Sequence, residues 1–487
     1  MRILHWFRSD LRVHDNTALA AAFQDADKGV VAVYSVTPEQ WREHDWGDPK
    51  VDFVMRTLAA LKERLDELNV PLKIVTTAGF EGVPKAIAAV AKEVEADAVY
   101  FNREYEINER RRDEAVEDAL EAEGRSAKSF LDKTGYEPGS VRTKTDGWYT
   151  VFSPFKRNWK ARYMDGDRPE VSATPKKQTP LGIASDDVPT SVDGYTIGVE
   201  DRELGIRPDL WGAGEQVALG KLGAFIQHKL EDYKEARNFP ADPSTSAMSP
   251  YLAIGSISPR VCMESAIEAN DGRIDKGSKG AVHWIDELLW REFYNHLLIG
   301  YPRLCKNKAF RPEFDSVEWN RDEAQFDRWK EGRTGYPIVD AGMRQLNATG
   351  WMHNRLRMIV AMFLTKDLMI DWRWGERYFM NRLIDGDLAS NNGGWQWSAS
   401  TGTDAQPYFR VFNPYLQGKR YDPEGAYIRR FVPELAGVEG DAVHEPHEAG
   451  LFSDLDYPEP IVDHSEARDR AIEAFKAAGG KPGPKEG

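Results

Sequence analysis

The stretch DGDLASNNGGWQW, residues 385–397, combines residue types that could hold a flat polar molecule. Its carboxylates and amides can hydrogen-bond ring nitrogens and oxygens, its paired glycines allow close approach of backbone, and its tryptophans offer flat walls. Apolar residues do not recur here with the period of a helix or a strand, so core packing alone explains the composition poorly. The alternative is a turn-rich connection between helices whose tryptophans belong to the core.

Two helical patterns carry a second set of groups. Glu287 and Trp290 lie three residues apart in ELLWREFYNHLL, and Asn354 and Met358 lie four apart in HNRLRMIVAMFL, so each pair shares one helix face. If the two faces meet, they would form a pocket with hydrogen-bonding groups at one end and apolar walls. Two amphipathic core helices with surface arginines would explain the same pattern equally well.

Other candidate sites are weaker. Thr245, Ser246 and Ser249 precede a helix-like run, where hydroxyls and free backbone N–H groups suit a phosphate, although such residues cap helices everywhere. His444 and His447 lie in HEPHE without further ligands at zinc-like spacing, so we expect a solvated acidic loop and no metal site. The chain has no GxGxxG, Walker-type, nucleophile-elbow or HExxH motif.

The elements that must position these groups begin with an α/β pattern. Short β runs alternate with helical patterns as far as residue 132, which predicts a five-stranded parallel sheet with helices on both faces. Ligands of such sheets bind at the carboxyl ends of the strands, where residues 7–15, 41–44 and 102–109 would gather. The predicted strands are Ile3–Phe7, Val30–Val36, Leu72–Thr76, Ala98–Phe101 and Lys128–Leu131.

The rest of the chain is predicted to be irregular at first and then helical. We expect an α/β domain in residues 1–132, a proline-rich inter-domain connection in 133–206, a helical domain in 207–478 and a disordered tail in 479–487. The connection has one short helical pattern, around Phe155–Tyr163. The helical domain has patterns at Gln216–Asp232, His283–Leu298, Ala324–Glu331, Pro337–Ala348 and Asn354–Met369.

Composition bounds the class of protein. At 487 residues two domains are the expectation, and the two cysteines argue against a disulfide framework and suit a reducing cytoplasm. No long apolar run is present, so we expect a soluble protein without a membrane span. We also expect a monomer. The net charge of −15 argues against generic nucleic-acid affinity, but residues 340–430 hold 12 Arg and Lys against 9 Asp and Glu, so one face could still bind DNA.

Several long motifs in a fixed order carry a family resemblance. WFRSDLRVHDN, TGYPIVDAGMRQL, GWMHNRLRM, DGDLASNNGGWQW and TGTDAQPYFRVFNP strongly resemble the photolyase/cryptochrome family, and most of all its class I members that act on cyclobutane pyrimidine dimers. The resemblance runs from Arg2 to about Ala477. It implies a Rossmann-like α/β domain, a helical domain that holds FAD, and light-dependent repair of UV-damaged DNA by electron transfer to a flipped-out lesion.

Two other activities occur within this family. A signalling cryptochrome is disfavoured by Asn391, where signalling branches commonly carry Asp or Cys, and a (6-4) photolyase is disfavoured by Met358, where such enzymes commonly carry His. Both remain alternatives to dimer repair.

The resemblance also implies roles for individual residues. The residues implied to bind FAD are Tyr233, Thr245, Ser246, Ser249, Trp284, Arg357, Asp385, Asp387 and Asn391, of which Asn391 would lie by flavin N5. The residues implied in catalysis are Glu287, Trp290, Asn354, Met358, Asn391 and Trp397. Trp395, Trp372 and Trp319 would form an electron-transfer chain, and Arg291, Arg355 and Arg410 would grip DNA phosphates.

Two further implications concern the α/β domain and the phosphate segment. Trp41, His44, Asn108 and Glu109 resemble residues that hold a light-harvesting antenna, for which we favour 5,10-methenyltetrahydrofolate over 8-hydroxy-5-deazaflavin. Ala247 stands where close relatives commonly carry Arg. We expect FAD to be retained by backbone and hydroxyl groups, and DNA binding to be modified.

Overall fold

A computed structural model describes residues 1–447 and 456–479 of the chain. Its amino-terminal part contains a five-stranded parallel sheet in the order β3-β2-β1-β4-β5, which confirms the predicted fold class. Ile3 of the central strand pairs with Val30 on one side and Ala98 on the other. The strands are β1 Ile3–Phe7, β2 Val30–Val36, β3 Leu72–Thr76, β4 Ala98–Asn102 and β5 Ser126–Phe130.

Helices cover both faces of this sheet. The three inner strands are completely buried, as expected for a parallel sheet with a helical layer on each side. Leu58, Leu61 and Leu65 form the buried stripe of the longest of these helices. The helices are α1 Thr17–Asp25, α2 Pro38–Glu43, α3 Asp48–Glu67, α4 Val83–Glu93 and α5 Ile107–Ala122, with a short 3₁₀ turn at Phe80–Gly82.

The connecting segment runs along both halves of the molecule. It contains one helix, α6 (Phe152–Met164), which packs on the helical half, whereas Gln178 bonds the backbone of Val30 and Asn69 in the α/β half. The segment therefore contributes packing on both sides.

The remainder is helical, as the sequence predicts. The helices are α7 Glu215–His228, α8 Tyr233–Ala236, α9 Ser249–Ala253, α10 Pro259–Ala269, α11 Lys279–Gly300, α12 Glu323–Lys330, α13 Pro337–Thr349, α14 Asn354–Met362, α15 Trp372–Arg382, α16 Leu388–Ser398, α17 Pro414–Tyr421, α18 Ala426–Phe431 and α19 His464–Ala477. Single 3₁₀ turns occur at Pro302–Lys306, Pro312–Ser316, Pro433–Leu435 and Gly440–Val443.

A buried ion cluster joins the two halves. Asp132, at the end of the α/β half, accepts hydrogen bonds from Arg12 at 2.6 Å and from Arg260 of α10 at 2.7 Å. Arg260 also pairs with Asp15 at 3.0 Å, and all four side chains are almost completely buried. Loss of one partner would leave a buried charge unpaired, which is strongly unfavourable. The cluster therefore stabilises the packing of the α/β half against the helical half.

Three expectations need correction or fall outside the described residues. An α-helix was expected over Asn354–Met369, but the α-helix ends at Met362 and is followed by a π-helical turn, Phe363–Asp367. The expected solvated loop at HEPHE is wrong for His444, whose ring is buried against Gly418. The expected disordered tail lies outside the described residues, apart from residue 479.

No helix in the described part of the chain combines the length and the apolar character needed to cross a bilayer.

Candidate active site

The end of α8 links the two helices that carry the predicted pocket residues. Arg237 forms an ion pair with Glu287 of α11 and lies 2.8 Å from His283 of the same helix. The next residue, Asn238, accepts a hydrogen bond of 2.6 Å from Arg355 of α14. Glu287 and Arg355 are close enough to influence each other electrostatically, so α11 and α14 present their polar groups to a common space.

Trp290 is held from behind by the connecting segment. Its ring stacks on Phe152 of α6 with centroids 3.8 Å apart and planes 12° from parallel, and it lies 5.6 Å from Tyr294. The indole is half-buried, so one face is covered by Phe152 while part of the ring stays accessible. An indole fixed in this way provides a rigid stacking platform.

On α14, the Arg355 guanidinium contacts both an aromatic ring and a methionine sulfur. Arg355 lies 4.3 Å above the ring of Tyr421 and 3.8 Å from the sulfur of Met358. Burial lowers the pKa of Arg355, an effect opposed in part by Tyr421. Asn354, which begins the helix, is exposed, and Trp397 of α16 is half-buried.

The stretch 385–397 folds mostly as α16, in spite of its aperiodic composition. Asp387 caps the helix by accepting a 2.9 Å hydrogen bond from the Ser390 N–H. Immediately before it, both oxygens of Asp385 accept from Arg357 of α14, at 2.8 and 3.1 Å. The predicted partners Arg357 and Asp385 are thus brought together.

Helix α15 orients the asparagines of this stretch. The Asn391 amide donates to the backbone carbonyl of Glu376 at 3.0 Å, and the Asn392 amide donates to the Glu376 carboxyl group at 2.8 Å. Because its nitrogen is engaged, Asn391 keeps its Oδ1 as an acceptor for a neighbouring N–H. Glu376 is buried, and burial raises its pKa to about 7.

Asp387 remains ionised in its buried setting. Burial disfavours its charged form, but the positive charges of Lys133 and Arg291 and the bonds from Ser390 outweigh that effect and lower its pKa to about 2. Lys133 lies 3.6 Å from the carboxylate. Arg291 donates to the Lys133 carbonyl at 2.5 Å, and its charge acts on Asp387.

The remaining predicted cofactor residues line a wall between α8, α9 and α11. Tyr233 and Trp284 are buried, and their ring centroids lie 5.5 and 4.9 Å from that of Phe225 in α7. The Ser249 hydroxyl accepts a 3.2 Å bond from Trp351, which lies close to the start of α14.

The segment before α9 makes a sharp turn. Ala247 adopts a left-handed conformation, with φ of 51°, that costs an L-residue about 1–2 kcal/mol. The Ser246 hydroxyl accepts from the Met248 N–H at 3.4 Å, and Thr245 is half-buried beside them. Hydroxyls and turned backbone of this kind suit an anion.

The three tryptophans of the predicted electron chain differ in burial but share one feature. Trp372 and Trp395 are buried, whereas Trp319 is half-buried against Phe475 at 5.8 Å. The indole N–H groups of all three lack an acceptor among the described residues, while Trp6, Trp211 and Trp329 each donate one hydrogen bond. Trp395 packs on α15, which begins at Trp372.

A cavity of about 380 Å³ lies between the α/β half and the helical half. It lies at the carboxyl ends of β1, β2 and β4, where Arg8, Thr37 and Glu104 line it, and the switch point of this sheet is between β1 and β4. Trp41, His44, Asn108 and Glu109 all line it. His44 lies 3.2 Å from the Asn108 amide and 3.4 Å from the Glu109 carboxyl group.

Further charged residues line this cavity, and one of them, Lys50, was not predicted from the sequence. Lys50 is buried, lies 3.5 Å above the Trp46 ring and donates to the Gly386 carbonyl at 2.7 Å. Burial lowers the pKa of Lys50 to about 7, and burial with repulsion from Glu106 and Glu104 raises that of Glu109 to about 8. The cluster of acids in EYEINE was a signal for this site, whereas nothing in the α3 pattern marked Lys50.

Comparisons with known proteins agree with this geometry. Residues 3–178 match the family model for DNA photolyase, and residues 284–477 match the model for the FAD binding domain of DNA photolyase. The chain is 46% identical to the deoxyribodipyrimidine photo-lyase of Vibrio cholerae over 99% of its own length and 100% of the relative's. It is 45% identical to the enzyme of the same name from Escherichia coli, with 98% of each chain covered.

Solved structures give the same result. A bacterial class III photolyase from Agrobacterium tumefaciens superimposes with a TM-score of 0.86 at 37% identity, over 99% of this chain and 98% of the other. A cryptochrome from Synechocystis sp. PCC6803 gives 0.81 at 29% identity, over 97% and 99%. With sequence likeness over the full length and the same fold, this chain belongs to the DNA photolyase family and carries its FAD-binding domain.

Proposed function

We propose that this protein repairs cyclobutane pyrimidine dimers in DNA, using light and reduced FAD. The full-length likeness to deoxyribodipyrimidine photo-lyases supports this function. The observation that carries it is the link between α11 and α14, in which Arg237 pairs with Glu287 of α11 and the adjacent Asn238 bonds Arg355 of α14, while Trp290 of α11 is stacked on Phe152. A flipped-out dinucleotide lesion needs a hydrogen-bonding group such as Glu287 and a stacking surface such as Trp290, whereas binding to the DNA backbone alone needs neither.

The residues present fit FAD. A diphosphate needs hydrogen-bond donors, which Thr245, Ser246, Ser249 and the turned backbone at Ala247 supply. An isoalloxazine ring needs fixed polar groups at its edge. We assign these to Asp387, Asn391 and the Arg357–Asp385 pair, with Tyr233 and Trp284 as apolar walls.

We assign recognition of the lesion to the residues of the α11–α14 pocket. A damaged dinucleotide must leave the duplex at a cost of a few kcal/mol, and stacking on Trp290 and Trp397 returns about 1–3 kcal/mol per base. Glu287 and Asn354 would hydrogen-bond the base edges, while Met358 would pack on the lesion. Because Arg237 already fixes the Glu287 carboxylate, that group is oriented before the lesion arrives.

The proposed electron transfer depends on residues that stabilise the reduced cofactor and hold the DNA. When bound, reduced FAD supplies the electron that under light splits the cyclobutane ring and then returns. Asn391, with its nitrogen fixed to the Glu376 carbonyl, offers an oxygen acceptor and no acidic proton, which favours the reduced anionic cofactor. Arg355 and the exposed Arg410 would hold the DNA backbone near the pocket. Arg291 was predicted to share that role. Its bond to Lys133 favours an action on Asp387 instead.

We also propose that Trp395, Trp372 and Trp319 carry electrons inward from the surface to restore the reduced cofactor. Their order from buried to half-buried agrees with a path to solvent. No described residue accepts a hydrogen bond from their indole N–H groups, so an oxidised tryptophan would keep its proton. It can then accept an electron without first regaining a proton.

For the antenna we propose 5,10-methenyltetrahydrofolate in the cavity between the two halves. Asn108, Glu109 and His44 offer hydrogen bonds to a pterin edge beside the Trp41 ring. Arg111 and Lys306 are exposed at the cavity and have no ion-pair partner among the described residues, which suits the carboxylates of a glutamate tail. The tail of 8-hydroxy-5-deazaflavin has less need of these cations.

The antenna proposal is tested by the chromophore released from purified protein. We expect folate absorption and fluorescence from the wild type, and loss of folate with FAD retained in Glu109→Gln. Release of a deazaflavin would contradict the assignment.

The main proposal is tested in cells. Expression in a bacterium that lacks photolyase should raise survival after UV irradiation when visible light follows, and should not do so in the dark. Equal survival in light and dark would contradict a repair function and would favour a signalling role.

A further inference from the structure

An open surface pocket lies at the solvent end of the proposed tryptophan chain. It is lined by the rings of Trp319 and Trp374 and by a set of charged side chains, among them Lys308, Arg321 and Arg373. Arg373 also lies over the ring of Trp372, with its guanidinium carbon 4.6 Å from the centroid. The pocket therefore adjoins two members of the chain.

A second aromatic path ends at the same pocket. Trp329 lies 6.1 Å from Trp395, Phe326 stacks on Trp329 at 5.7 Å, and Trp374 lies 5.3 Å from Phe326. Trp374 is half-buried and lines the pocket wall. Aromatic contacts thus lead from buried Trp395 to this surface independently of Trp372.

The charges of the pocket fall into a paired and an unpaired group. Arg373 is neutralised by Asp315 at 2.8 Å and Asp371 at 3.1 Å. Lys308 and Arg321 are exposed and have no ion-pair partner among the described residues, and Glu318 is the acidic residue of the lining that lies outside the Arg373 pairs. In a chain with net charge −15, this is a place where a small anion can approach.

We propose that this pocket binds a small anionic one-electron donor with a flat conjugated ring, which rereduces Trp319. The inference rests on the proposed electron chain. When Trp395 is oxidised, electrons move inward along the chain and the positive charge comes to rest on the indole of Trp319. The N–H of this indole has no acceptor among the described residues. The donor, stacked between indoles and held by Lys308 and Arg321, gives one electron to that ring. The indole is restored with no bond broken, and the donor leaves as its own radical.

The test uses purified holoenzyme with oxidised FAD, a laser flash and ascorbate as the anionic donor. The decay rate of the tryptophan radical is measured against ascorbate concentration at low salt. We expect a rate that saturates, and a drop of about tenfold at low ascorbate in Lys308→Gln/Arg321→Gln. The matched control Lys176→Gln/Lys177→Gln removes two exposed charges from the connecting segment and should leave the rate unchanged.

Additional controls separate the binding pocket from the electron chain and from the proposed function. A neutral hydroquinone should reduce the radical equally fast in all variants. A linear ascorbate dependence that is equal in the wild type and the pocket variant would overturn the pocket. A radical signal that persists unchanged in Trp319→Phe would overturn the chain on which it rests. Dimer repair by chemically reduced enzyme needs none of these groups, so loss of repair in the wild type would reject the proposed function separately.

Discussion

Trp395 packs directly on Gly375, so that a methyl group added at Gly375 would overlap the far edge of the indole. Gly375 lies one helical turn after Trp372, which begins α15. The absence of a side chain at this position therefore lets the indole of α16 rest on the helix that carries the next tryptophan. This contact sets the spacing between the two buried members of the proposed electron chain.

The first prediction follows from this contact. Gly375→Ala should displace Trp395, slow light-driven reduction of oxidised FAD, and lower the free energy of unfolding by about 1–3 kcal/mol through overpacking. The measurement is the photoreduction rate of the FAD-loaded protein. The control is Gly220→Ala in α7, where an added methyl group meets nothing. A normal rate in Gly375→Ala would show that the position of Trp395 does not limit electron supply.

The second prediction concerns the Glu287 carboxylate. Glu287→Gln should weaken binding of dimer-containing DNA by about 1.5–3 kcal/mol, because a charge-assisted hydrogen bond to the lesion is lost. Affinity for undamaged DNA should stay unchanged. The control is Asp286→Asn, which alters the neighbouring acid that pairs with Lys156 and Lys160 on another face of α11. Equal weakening by both variants would assign Glu287 a structural role.

The third prediction concerns the stacking of Trp290 on Phe152. Trp290→Ala should lower the preference for lesion over undamaged DNA by about 1–3 kcal/mol, since one stacking surface is removed. Phe152→Leu should cause a smaller loss of the same kind, because the indole keeps its surface but loses its rigid support. Competition binding with both DNAs measures the preference. If both affinities fell together, Trp290 would be a fold residue.

The fourth prediction concerns pH. Burial raises the pKa of Glu376 to about 7, from an ordinary value of 4.5. Between these pH values the folded protein keeps a proton that the unfolded chain has lost, so the free energy of unfolding should fall as pH rises from 4.5 to 7. Unfolding of the FAD-loaded protein in denaturant at several pH values measures this slope. Glu376→Gln should flatten it, and an unchanged slope would mean that Glu376 is ionised throughout.

The fold was predictable because its periodicities are regular. Continuous apolar runs identified β1, β2 and β4, and the leucine stripe identified α3. Residues 385–397 gave no helical pattern, although most of them are helical. The reason is that Asp387 caps the helix and that Asn391 and Asn392 bond Glu376 of α15, so polar residues occupy positions at which a helix pattern would have apolar ones.

Parts of the candidate site could not be found from the sequence. Phe152 comes from the connecting segment, and its place behind Trp290 depends on how that segment folds back. Arg237 follows the short helix α8, and Lys50 lies in the amphipathic helix α3. Neither sequence pattern indicates that the residue lines a site. Their roles depend on tertiary contacts that periodicity does not describe.

The most direct test of the central claim is repair in solution. Reduced, FAD-loaded protein is illuminated with an oligonucleotide that carries one cyclobutane thymine dimer, and the loss of the lesion is followed by chromatography. We expect conversion of the dimer to two thymines in the light, no conversion in the dark, and no repair of a (6-4) lesion. An intact cyclobutane dimer after illumination would contradict it.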